Sequence, residues 1–164
     1  ADLSGCKLDS KVAPDSISFA NLLSSPKSKG TRRNLIMQSV GPFVVREGEW
    51  KLCICPGSGS NLHYGNRPRE DDAWRDALKA FGRKPKRGEL TQTPFVQLFN
   101  LAKDVHEDHS LAAKHPKRVA RMVTLLRQQI QQGRSTPGPK LSNDREKIEI
   151  HQRLPAFVRK LLNR

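Results

Sequence analysis

Phe43-Val44-Val45-Arg46-Glu47-Gly48-Glu49-Trp50-Lys51-Leu52 is the stretch on which the fold turns. Two strand-like runs flank Glu47-Gly48-Glu49, and a glycine in so short a link predicts a tight antiparallel hairpin. Side chains of a strand alternate between faces, so Trp50, Leu52 and Ile54 share one and Lys51, Cys53 and Cys55 the other, with the Trp50 face taken as the core. Upstream, the apolar run over residues 34–39 supplies another strand, and Phe95-Val96-Gln97-Leu98-Phe99 a fourth. An antiparallel sheet of about four strands follows.

Helical signals surround it. Glu70-Asp71-Asp72 places negative charge on a first turn, Trp74, Ala77, Leu78 and Phe81 recur at helical spacing, and Gly82 stops the run. The stronger helix opens at Pro116, carries Val119, Met122, Val123, Leu126 and Ile130 on one stripe, and ends at Gly133. Residues 154–162 form a short amphipathic ending. The expected class is α+β: the long helix packs across one face of the sheet and the short Glu70 helix lies at its edge. The organisation reads as a linker over 1–30, a subdomain over 31–135 and a basic C-terminal extension over 136–164.

The chain has 164 residues, enough for one ordinary domain, and 35% of them are hydrophobic. It contains no apolar run of membrane-spanning length. Its start at Ala1, with no Met before Met37, reads as a segment cut from a longer product. The net charge of +14 is uneven: residues 114–164 hold 13 basic and 3 acidic side chains. Such a bias suits a polyanion partner, a docking face or a solvated helix surface. Nucleic-acid binding is the alternative function, but the region has no stacking aromatics and no recognised DNA- or RNA-binding motif. It is read as a solvated helix face, with no nucleic-acid partner.

Other constellations read as structure. Cys53, Cys55 and His63 are three potential ligands without a second paired knuckle, whereas structural zinc takes four. No metal site is expected. His106, His109 and His115 lie near no Ser or Cys in a nucleophile setting, so no catalytic residue is assigned. Pro56-Gly57-Ser58-Gly59 is a turn, lacking the lysine and following helix of a phosphate loop.

Five of these segments, in order, resemble a known family. The opening decamer is similar to the F-A-I-R-x-G-x-W-K-L hairpin found late in type I sulfatases, and Cys55-Pro56-Gly57-Ser58-Gly59 to the C-P-G-S-G that follows it in bacterial arylsulfatase A-like members. Residues 95–104 resemble the family's x-Q-L-Y-D-L-x-x-D stretch, His115-Pro116-Lys117-Arg118-Val119 its H-P-E-x-V helix start, and Gly133-Arg134-Ser135-Thr136-Pro137-Gly138 its G-R-S-T-P-G close. Residues 1–8 and 14–18 look like the join to the family's catalytic domain. The likeness covers about residues 1–143.

The resemblance implies a C-terminal subdomain of a sulfatase, a hydrolase of sulfuric esters, in a family whose members are usually exported. The family's nucleophile is a formylglycine made from Cys/Ser-x-Pro-x-Arg, and calcium helps hold the sulfate. Only Pro26 and Pro137 of this chain follow a Ser or Cys by two residues, and Ser28 and Pro139 stand where Arg is needed. Formylglycine and calcium are therefore expected in an upstream catalytic domain, which becomes the principal partner, with a sulfated substrate. The chain alone should be inactive. Its expected part is to complete the fold and rim the substrate cleft through Gln38, Ser39, His63, Tyr64 and Arg67, polar groups next to strand ends.

Overall fold

The computed structural model describes residues 1–25, 27–38, 42–57, 70–151 and 154–163. Its elements run α1 (Ala20–Ser24), β1 (Asn34–Gln38), β2 (Phe43–Glu47), β3 (Trp50–Cys53), α2 (Glu70–Phe81), β4 (Gln97–Asn100), α3 (Pro116–Gln132) and α4 (Ala156–Leu162). The four strands form one antiparallel sheet in the order β1-β2-β3-β4. This is the expected α+β class.

The hairpin forms with a tighter link than the sequence suggested. Glu47 pairs with Trp50, which leaves only Gly48-Glu49 in the turn. Gly48 has φ 58° and Glu49 is not left-handed, the order that a type II′ turn requires. The end of β4 then locks this turn: Asn100 is buried, its Nδ2 donates to Glu49 Oε1 (3.1 Å), and Leu101 N donates to the Glu49 carbonyl (2.8 Å).

Both faces of the sheet are core, not the Trp50 face alone. On one, Phe43, Val45, Leu52, Ile54, Val96 and Leu98 pack with Val119, Met122, Val123 and Leu126 of α3. On the other, Cys53, Cys55, Phe95 and Phe99 pack with Trp74 and Ala77 of α2 and with Leu154 and Val158 at the C-terminal end. The helix expected at the sheet edge thus covers its second face. Cys53 and Cys55 are small, and the space above them is filled by Trp74 stacked on Phe95, ring centroids 5.9 Å apart. Trp50 itself is half-buried; Arg118 lies 4.3 Å over its ring and His115 meets its edge. Each buried side chain of α3 contributes about 1.5–3 kcal/mol relative to exposure.

Candidate functional site

A cleft opens where the end of β1 meets the C-terminal end of α3. Gly133 caps α3 in the left-handed conformation, φ 66°, and donates to the Ile130 carbonyl (3.2 Å). A Cβ there would lie 2.3 Å from the Leu141 carbonyl oxygen, because the chain turns back directly against the cap. The loop that follows is organised by Arg134. Its buried guanidinium donates to the Thr136 carbonyl (3.0 Å), the Pro139 carbonyl (3.0 Å) and Thr136 Oγ1 (3.1 Å).

The N-terminal segment is tied to the same loop across about 120 positions of sequence. Asp15 Oδ1 accepts from Ser135 N (2.7 Å), Thr136 Oγ1 donates to the Pro14 carbonyl, and Arg32 donates to the Asp15 carbonyl (2.7 Å). These contacts border an open cleft of about 610 Å³ lined by Asp15, Arg32, Ile36, Gln38, Phe43, Gln129, Ser135, Asn143, Asp144 and Arg145 among others. Two buried polar atoms here, Gln129 Oε1 and Ser135 Oγ, have no hydrogen-bond partner among the described residues. Such groups are rare and costly, and these two have almost no accessible surface, so they lie behind the cleft wall; the groups that face the opening are those of Gln38, Asn143 and Arg145. Gln129 is held in place by its other end, Nε2 donating to Asn34 Oδ1 (2.7 Å).

Comparison with family models and with curated proteins gave no match. Among solved structures, a sulfatase of Bacteroides thetaiotaomicron, reported with the metabolism of multiple glycosaminoglycans, matches with a TM-score of 0.52 at 21% identity. The match takes in 77% of this chain and 22% of the sulfatase. The chain has the fold of a sulfatase region. Within that fold the motif segments have structural roles. The Phe43–Leu52 stretch is the central hairpin, Asn100 pins its turn, and Arg134 ties down the loop after α3.

Of the expected rim residues, Gln38 lines the cleft, at the end of β1 opposite Phe43. Ser39, His63, Tyr64 and Arg67 lie outside the described residues. Sequence reading did not single out Gln129, Ser135 or Arg145. Ser135 stands inside the matched G-R-S-T-P-G segment, which was the available signal; Gln129 is one glutamine among several on α3. The histidines have local roles: His115 is the N-cap residue of α3, and His109 N donates to Asp104 Oδ2 (2.9 Å). A bond from Asp108 N (3.0 Å), and then this one, hold the Asp104 carboxyl below its usual range. No group of three metal-ligating side chains occurs among the described residues.

Proposed function

We propose that this chain is the C-terminal region of a sulfatase, completing the fold of the enzyme and rimming its substrate cleft, while an upstream domain performs the sulfur chemistry. The fold likeness to a sulfatase, confined to 22% of that protein's length, carries this reading. The formylglycine and calcium of such an enzyme belong to the upstream domain in this proposal, because this sequence has no Cys/Ser-x-Pro-x-Arg. The sulfate's charge is met there, and Gln38 and Asn143 supply neutral hydrogen-bonding groups for the rest of a sulfated sugar. Exposed Leu3, Leu8, Val12, Phe19 and Leu23 in the N-terminal segment are the apolar surface that the catalytic domain covers.

The test joins this chain to its upstream region. The chain alone should hydrolyse no 4-nitrophenyl sulfate even with calcium, and the joined enzyme should. In the joined enzyme, Gln38→Ala and Asn143→Ala should raise KM for sulfated sugars with little change in kcat, since they would bind the part of the substrate that does not react. Unchanged KM and substrate preference in both variants would remove the rim from the proposal. Turnover by the isolated chain would overturn the division of labour.

A further inference from the structure

The outer surface of α3 is more basic than its folding contacts account for: Arg118 packs on Trp50 and Arg121 pairs with Glu47, whereas Lys117 and Arg127 make no such contact among the described residues. Lys117, Arg118, Arg121 and Arg127 lie on this 17-residue helix, which contains no acidic residue. Lys117 and Arg118 occupy its first turn, where the helix dipole disfavours cations. Lys114, Lys117, Arg118 and Arg121 surround one surface hollow. Further along, Arg127 shares a cavity of about 370 Å³ with Arg87, Lys147, Glu149 and His151. Glu47 engages Arg121, and Glu149 engages Arg87 (2.9 Å) and Lys147 (3.5 Å). Lys114, Lys117 and Arg127 have no carboxylate partner among the described residues. In the same cavity the buried His151 Nδ1 lacks a hydrogen-bond partner among the described residues.

We propose that this face binds a linear anionic polysaccharide, sulfated or carboxylated, running along α3 from Lys117 to the cavity of Arg87, Arg127 and Lys147. The inference rests on the sulfatase reading for the class of polymer. The ten positions from Lys117 to Arg127 cover about 15 Å of helix axis, the length of a short oligosaccharide. Along the same helix stand Thr124, Gln128 and Gln131, hydroxyl and amide groups suited to sugar hydroxyls; α3 itself carries no aromatic side chain, and the ring of the neighbouring Trp50 is covered by Arg118 rather than open to stack on a base. No large apolar side chain on this outer face is exposed to enter a membrane. The site would hold the substrate polymer outside the reacting centre and so raise its local concentration.

Binding of fluorescent dextran sulfate to this chain is the test, with neutral dextran and a DNA duplex alongside. The affinity should fall steeply with salt, neutral dextran should not bind, and the duplex should bind more weakly than dextran sulfate. Replacing Lys117, Arg127 and Lys147 by Gln together should weaken dextran sulfate binding at least about tenfold, while Lys7, Lys11 and Lys27 to Gln, an equal charge loss, should change it less than about twofold. Equal losses in the two triple variants, no binding of dextran sulfate, or duplex binding as tight would overturn the proposal. The readout needs no turnover. Loss of binding leaves the sulfatase reading to its own activity test, and an inactive joined enzyme leaves the surface intact as a polyanion site.

Discussion

Arg134 satisfies three loop acceptors from a buried position, so its removal leaves the Thr136 and Pro139 carbonyls without their donor. Arg134→Ala should destabilise the chain by about 2–3 kcal/mol, and Arg134→Lys should recover only part, because one ammonium cannot reproduce the planar fork. Urea midpoints of the two variants measure this. His151 acts through charge. Burial first, then the nearby Arg127 and Arg87, lowers its pKa to about 4, well below the ordinary 6.5. The unfolded chain therefore binds the extra proton between those values, and stability falls as pH drops from about 6.5 to about 4, by at most ~3 kcal/mol from this residue. His151→Gln should flatten that part of the pH–stability curve; an unchanged slope would show that other groups cause it.

The hairpin and α3 were legible as elements because their signals are local. A left-handed glycine sits in the one and closes the other, and the apolar stripe of α3 repeats at helical spacing from Val119 to Ile130. Leu126 is fully buried at the centre of that stripe, and Leu126→Ala should cost about 2–5 kcal/mol in chemical unfolding. Gly133→Ala should cost about 2 kcal/mol or more, from the left-handed φ and from the collision with Leu141. Its loss should also disturb the cleft, and a crosspeak shift at Ser135 in an amide spectrum would register it. The edge placement expected for α2 failed for a reason of packing. Its Trp74, Ala77 stripe fits equally an edge or a second face, and only the small Cys53 and Cys55 beneath it decide between them.

Across the molecule, the last segment is joined to both cores. Ile150 packs on the α3 side of the sheet, and Leu154 and Val158 pack on the α2 side. Ending the chain after Asn143 should therefore lower the thermal midpoint markedly and broaden the transition, although the motif resemblance stops there; an unchanged midpoint would make 144–164 dispensable. The sequence by itself determined the antiparallel hairpin, the bounds of α3 and the order of the sulfatase-like segments, because turn chemistry, caps and apolar periodicity act over a few residues. Only the tertiary structure decided that both sheet faces are buried, that Asp15 meets Ser135, and that Gln38, Gln129 and Ser135 share one cleft. Asp15 and Ser135 lie 120 positions apart and Gln38 and Gln129 about 90; the packing of α3 on the sheet and of the N-terminal segment on the loop after α3 brings them together, which no local pattern encodes.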